Sequence, residues 1–216
     1  MNPGFDPITL ALVLALMALL PTVVVVTTSF LKITVVMALL RNALGVQQVP
    51  PNLALHGMAL ILSAYIMAPV GAHMVDRLSA KPDALSNVSS LVSSVRESAE
   101  PLREFMLRNS KAEQRDFFVR TAQRLWGPEL SAGMTERDFM VLMPAFMVSE
   151  LTAAFQVGFL LYLPFVVIDL IVSNILLAMG MMMVSPVTIS LPLKLFLFVM
   201  LDGWSRLIQS LILSYV

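Results

Sequence analysis

The sequence predicts an all-α fold of integral-membrane-type helical hairpins with a small helical domain outside the cytoplasm. Of its 216 residues, 58% are apolar and only 13% are charged, whereas soluble domains average about 25% charged residues. The 63 residues of 76–138 hold 20 of the 28 charged side chains. The charge pattern therefore predicts three blocks: a hydrophobic hairpin at 1–75, a polar helical domain at 76–138, and hydrophobic broken hairpins at 139–216.

The first block predicts two helices joined by a turn. Residues 8–31 form an uncharged run of 24 residues, and about 20 suffice to cross a bilayer. A cleavable signal peptide needs a basic start, but only Asp6 precedes this run, so we expect it to be retained. A second apolar run at 53–75 follows a turn that carries Arg41. Positive residues favour the cytoplasmic side, which puts the polar block outside.

The polar block is predicted to form two or three amphipathic helices that carry no catalytic or binding site of their own. Two sets of residues recur at helical spacing. The first set is Leu85, Val88, Leu91, Val92 and Val95, and the second is Phe117, Phe118, Thr121 and Leu125. Two capping boxes are expected at helix starts, and they are Ser110 with Glu113 and Thr135 with Asp138. Pro101 suits a first helical turn.

The last block is apolar but contains five charged residues and several prolines. The charged residues are Glu150, Asp169, Lys194, Asp202 and Arg206, and the prolines include Pro144, Pro164, Pro186 and Pro192. A charge at the bilayer centre costs at least about 2.5–3.5 kcal/mol, so such residues face protein or a water-filled path. Prolines free backbone carbonyls, which is tolerated where a helix is buried in protein. We therefore expect broken helices with structural ion pairs.

Catalytic, cofactor and metal sites are not predicted. The chain has no cysteine and no phosphate-binding glycine loop or metalloprotease motif. His56 and His73 lack the further ligands that a metal needs. The zero net charge gives no basic stripe for nucleic acid.

Two rival functions use the acidic residues of the last block. Broken helices with acids at membrane depth also build the coupling-ion sites of secondary transporters, although this chain lacks two comparable halves. An intramembrane hydrolase would need Asp169 and Asp202 as a catalytic pair. Ion pairs of these acids with Lys194 or Arg206 are the interpretation we favour.

A cluster of methionines precedes Pro186. Met179, Met181, Met182 and Met183 are four of the 16 methionines and lie within five residues, around Gly180. Methionine is soft and fills gaps in helix cores. Successive helical residues point about 100° apart, so three in a row cannot all face one core. The alternative is that they project into a lumen and seal a pore that yields to a passing chain.

Four stretches of the sequence resemble one family. They are TSFLKITVVMALLRNALGVQQVPPN at 28–52, PAFMVSELTAAFQVGF at 144–159, PFVVIDLIVSNILLAMGMMMVSP at 164–186 and VTISLPLKLFLFVMLDGW at 187–204. They resemble the export-gate protein of type III secretion, called SctR (YscR, HrcR) in injectisomes and FliP in flagella. Val157 departs conservatively from the family pattern. The leader of many flagellar members is missing, which favours an injectisome member.

The resemblance implies a non-enzymatic channel subunit without cofactors in the bacterial inner membrane. The family forms a pentameric ring with SctS (FliQ)-type and SctT (FliR)-type subunits and other export proteins. Unfolded substrates leave through this ring, which is raised toward the periplasm and contacts membrane lipid.

The resemblance also suggests roles for residues. It implies a methionine gasket at Met181, Met182 and Met183, with Met179 beside them. Glu150, Asp169 and Lys194, with Asp202 and Arg206, are expected in contacts between subunits or hairpins. The remaining positions are expected to break or pack helices, and they are Pro144, Gly158, Pro164, Gly180 and Pro186.

Overall fold

The computed structural model describes residues 7–46, 49–80 and 88–216, and this part of the chain contains nine α-helices and no strand. The helices are α1 (Pro7–Thr27), α2 (Phe30–Leu44), α3 (Asn52–Ser79), α4 (Val88–Ser98), α5 (Glu100–Asn109), α6 (Ala112–Leu130), α7 (Phe139–Ala178), α8 (Pro186–Met200) and α9 (Gly203–Leu213). The all-α prediction is confirmed. Asp6 and Leu85, used in the sequence interpretation, lie outside the described residues.

Several helices are long and apolar enough to cross a membrane. Among the described residues, α1, α3 and α7 meet this condition singly. Helices α8 and α9 meet it together and are bent by 61° at the break between them. The described part of the chain thus offers three spans, or four if the bent pair forms one.

The first apolar run ends earlier than its length suggests. Helix α1 stops at Thr27 and α2 begins at Phe30. The hydroxyls of Thr27 and Thr28 donate hydrogen bonds of 2.7 and 2.6 Å to the carbonyls of Val23 and Val24. The Val24 carbonyl is among the last four of α1, which lack helical amide partners, so the Thr28 hydroxyl satisfies it.

The polar block contains α4, α5 and α6, and its caps match the sequence only in part. Pro101 lies in the first turn of α5, as predicted. The Thr135 amide donates to the Asp138 carboxylate at 2.7 Å, just before α7. The cap predicted at Ser110 is wrong, because Ser110 ends α5 and Lys111 is the N-cap of α6. Its hydroxyl donates backward to the Leu107 carbonyl at 3.3 Å instead.

Helix α7 is unbroken over 40 residues. Pro144 and Pro164 were expected to break this segment, but neither ends the helix. A proline inside a helix removes one backbone hydrogen bond, and neighbouring groups can satisfy the freed carbonyl in a membrane helix. The actual break lies at Gly180, and Pro186 begins α8.

The chain divides into two compact units, each assembled from two separate segments. The first unit draws on Met1–Leu31 and Ala64–Glu150, and the second on Lys32–Ser63 and Leu151–Val216. The three-block division by charge stays a prediction.

Aromatic and hydroxyl side chains connect α5, α6 and α7 in the first unit. The rings of Phe105 and Phe146 lie 5.9 Å apart between α5 and α7, within the usual range for aromatic pairs. The buried Ser149 hydroxyl accepts a hydrogen bond from the Lys111 amide at 2.9 Å. It donates to the Ala145 carbonyl at 2.7 Å. Ser149 therefore satisfies an amide at the start of α6 from the face of α7.

The second unit packs α2 with α7, α8 and α9. Helix α2 contributes the buried side chains Ile33, Val36, Met37 and Leu40. Phe198 of α8 lies 6.5 Å from the Phe165 ring and 5.4 Å from the Trp204 ring. The Lys32 ammonium lies 3.7 Å from the ring centre of Tyr215 near the end of the chain, a cation–π geometry.

Candidate functional site

A tight turn at the end of α7 shapes the methionine loop, defined here as residues 179–185. Gly180 has a positive φ of 74°. The Gly180 amide donates to the Leu177 carbonyl at 3.0 Å, and the Met181 amide donates to the Leu176 carbonyl at 2.9 Å. These two bonds with a left-handed glycine form a Schellman motif, the common end of a helix. Helix α8 restarts after the N-cap Ser185, with Pro186 in its first turn.

The methionine side chains of this loop project away from the chain. Met182 is 82% exposed and Met183 is fully exposed, while Met179 and Met181 are also exposed. Burying a side chain of this size is worth about 1.5–3 kcal/mol. Exposed methionines do not gain this stabilisation in the chain as described. The turn spreads them along the loop, and in the described part of the chain none of them is buried in a core.

An ion pair joins the two helices on either side of the methionine loop. The Lys194 ammonium of α8 lies 2.6 Å from the Asp169 carboxylate of α7. It also donates to the Ala43 carbonyl near the end of α2 at 3.3 Å. The Ser190 hydroxyl, one turn before Lys194, donates to the other Asp169 oxygen at 2.5 Å. Because Asp169 precedes the loop and Lys194 follows it, the pair closes an antiparallel α7–α8 hairpin.

Burial makes this network important for stability. Lys194 is only 4% exposed and Ser190 is fully buried, whereas the Asp169 side chain is 35% exposed. Removing one member of a buried ion pair typically costs about 3–5 kcal/mol, since the other charge loses its partner. The network thus holds α2, α7 and α8 together next to the exposed methionine loop.

Gly158 allows α7 to approach α2 closely. A Cβ atom at Gly158 would lie 2.2 Å from Cδ1 and 3.1 Å from Cβ of Leu39. Real Cβ contacts do not come as close as the first of these distances, so a larger residue would displace Leu39. This supports the packing role expected for Gly158.

The other predicted residues lie elsewhere in the chain. Glu150 is buried on α7 and belongs to the first unit. Asp202 is a left-handed N-cap of α9 whose carboxylate accepts a hydrogen bond from the Ser205 hydroxyl at 3.0 Å. Within the described residues, Arg206 has no acidic partner. Pairing of Asp202 or Arg206 with another subunit stays a prediction.

Sequence reasoning missed two members of the network. Ser190 shares a helical face with Lys194 because four residues separate them, and that spacing was a readable signal. The Ala43 carbonyl carried no signal in the sequence, since any residue supplies a backbone carbonyl.

Comparison with known proteins identifies the family. The model of the FliP family matches residues 13–211 of the chain. This chain belongs to the FliP family. The matched range contains both the methionine loop and the Asp169–Lys194 pair.

Curated relatives of this FliP-family chain match it over nearly their full length. The Yop proteins translocation protein R of Yersinia pestis is 53% identical over 210 residues, which are 97% of each chain. The harpin secretion protein HrcR of Erwinia amylovora is 47% identical over 212 residues, 98% of each chain. The virulence protein YscR of Salmonella typhimurium is 44% identical over 211 residues, 97% of each chain.

Proposed function

We propose that this chain is a core export-gate subunit of a type III protein secretion apparatus of the injectisome kind. With partner subunits it forms the pore through which unfolded substrates cross the inner membrane. The relatives named for Yop translocation and harpin secretion support an export role. The exposed methionine loop carries the proposal for this chain, because its adaptable apolar side chains are exposed in the described part of the chain.

In this proposal, Met181, Met182 and Met183 form the gasket of the closed pore, with Met179 beside them. Thioether side chains pack against one another without fixed geometry. They can therefore exclude water and ions in the closed state and move aside for an extended chain. The Asp169–Lys194 pair holds the hairpin that presents the loop.

The proposed assembly is a pentamer with SctS-type and SctT-type subunits in the inner membrane, raised toward the periplasm. Gating of this kind needs no catalytic residue, so the proposed subunit is not an enzyme. The alternative of an ion-coupled transporter would use an acid such as Asp169 for the coupling ion. In this chain Lys194 and Ser190 already occupy both oxygens of that carboxylate.

Native mass spectrometry of the detergent-purified protein tests the assembly. We expect a pentamer when the chain is expressed alone, and a larger complex when the two small gate subunits are co-expressed. A stable monomer or dimer that ignores these subunits would contradict the proposal and favour the transporter.

A further inference from the structure

An apolar cleft lies in the second unit where α7, α8 and α9 meet. Its volume is about 350 Å³. Leu160 and Phe165 of α7, Phe198 of α8 and Leu207 of α9 are among the side chains that line it. Leu160 is 66% exposed, so the cleft opens to the outside of the chain. Its apolar lining suits a hydrocarbon chain.

A positively charged side chain, that of Arg206, lies at this cleft. Arg206 and Ser210 lie one turn apart on α9, and both line the cleft. In the part of the chain that the structure describes, no carboxylate pairs with Arg206. Asp202, one turn earlier, accepts its hydrogen bond from Ser205. The cleft therefore combines an apolar wall with an available guanidinium and a hydroxyl.

The cleft is built into the bend between α8 and α9. Asp202 adopts a left-handed conformation there, and the helix axes change direction by 61°. A Cβ atom at Gly203 would lie 2.2 Å from the Phe198 ring, so the close approach that forms the bend requires glycine. Lipid tails cannot satisfy polar groups at such a break, and a cation placed there needs an anionic or polar partner.

We propose that this cleft binds one anionic phospholipid, with an acyl chain along the apolar wall and the phosphate on Arg206 and Ser210. A guanidinium binds phosphate through two parallel hydrogen bonds. Basic pockets between transmembrane helices recognise anionic lipid headgroups in this way. The proposal goes beyond the export function, since it concerns the second unit of one chain and requires no ring.

The charge of the headgroup distinguishes an anionic phospholipid from the other possible occupants of the cleft. A zwitterionic phospholipid buries the same acyl chain but carries its own cation beside the phosphate, so it gains less from Arg206. A helix from a second copy of this chain would cover the apolar wall of the cleft. An acidic residue of a partner subunit would neutralise the charge of Arg206. Either of these would keep lipid out of the cleft.

Trp204 provides a reporter at the cleft, because its ring packs edge-on against the cleft residue Phe198. The chain has two tryptophans, so Trp126→Phe leaves Trp204 as the only one. Phospholipids brominated on their acyl chains quench nearby tryptophan fluorescence. We expect brominated phosphatidylglycerol to quench Trp204 at an about tenfold lower fraction in mixed micelles than brominated phosphatidylcholine, as one charge-assisted hydrogen bond would give.

Two variants and a control locate the effect. Arg206→Gln should remove the preference for phosphatidylglycerol, whereas Arg124→Gln, which removes an exposed arginine of α6 outside the cleft, should retain it. Ser210→Phe places a ring at the cleft without adding a tryptophan and should weaken quenching by both lipids. Native mass spectrometry of the unsubstituted protein should also show one phosphatidylglycerol retained per chain.

Three results would overturn the proposal. Equal quenching by the two lipids would remove the role of charge. A preference that survives Arg206→Gln would place the anion elsewhere. An absence of both quenching and retained lipid in the assembled protein would mean that protein covers the cleft.

Discussion

Replacing Lys194 by methionine tests the network behind the methionine loop. The change keeps an apolar chain of similar length but removes the ammonium that lies 2.6 Å from Asp169 and donates to the Ala43 carbonyl. Loss of one partner of a buried ion pair costs about 3–5 kcal/mol. The Asp169 side chain is 35% exposed and keeps its hydrogen bond from Ser190, so water and this hydroxyl offset part of the loss.

We therefore expect Lys194→Met to lower the free energy of unfolding by about 3 kcal/mol, the lower end of that range. This corresponds to an about 150-fold change in the folding equilibrium constant. The measurement is denaturant unfolding in mixed micelles. Lys194→Glu places a second carboxylate against Asp169, so we expect it to block ring assembly in native mass spectrometry as well.

Two further variants separate the ion pair from a general effect of the lost charge. Lys111→Met removes an exposed lysine outside the network and should change stability by less than about 0.5 kcal/mol. Asp169→Asn combined with Lys194→Met should be about 1–3 kcal/mol less damaging than the sum of the single changes. Additive single changes, or a Lys194→Met protein as stable as the Lys111→Met control, would refute the reasoning.

Three other predictions follow from the same contacts. Gly158→Ala should destabilise the protein by about 1–3 kcal/mol through overpacking. In a chain that already carries Leu39→Ala, most of the destabilisation caused by Gly158→Ala should disappear in the same unfolding assay. An equal destabilisation in both chains would mean that Leu39 is not the obstacle. Gly180→Ala should lower the free energy of unfolding by about 1–2 kcal/mol, because the φ of Gly180 is positive. Gly71→Ala, in open space on α3, should leave it unchanged or raise it. Equal effects of the two changes would contradict the role of the turn. Alanine at Met181, Met182 and Met183 should raise ion leakage through the assembled complex in a membrane conductance assay, while leucine should keep it closed; unchanged leakage with alanine would exclude the gasket.

Residue patterns predicted most helices, because apolar runs and local spacing determine them. The run at 53–75 became α3, and the polar block became α4 to α6. The errors lie where local signals compete. Ser110 matched a capping box but ends α5, and Pro164 matched a break but lies inside α7. A hydroxyl or a proline permits several local structures, and its tertiary neighbours select one.

The family was also predictable, because long stretches of side chains carry it, and the match over 13–211 confirmed it. The methionine loop could be located for the same reason. The presence of four methionines around Gly180 is a property of the sequence, but their exposure depends on the Schellman turn of the folded chain.

The sequence by itself determined that this chain is helical, suited to a membrane and a member of its family, since composition, period and long motifs are local properties. Only the tertiary structure decided which charge meets which. Lys194 pairs with Asp169 and with a carbonyl of α2, 151 residues away along the chain, while Arg206 is left at an apolar cleft. The physical reason is that ion pairing and close packing depend on distances of a few ångströms between segments far apart in sequence, which no local pattern encodes.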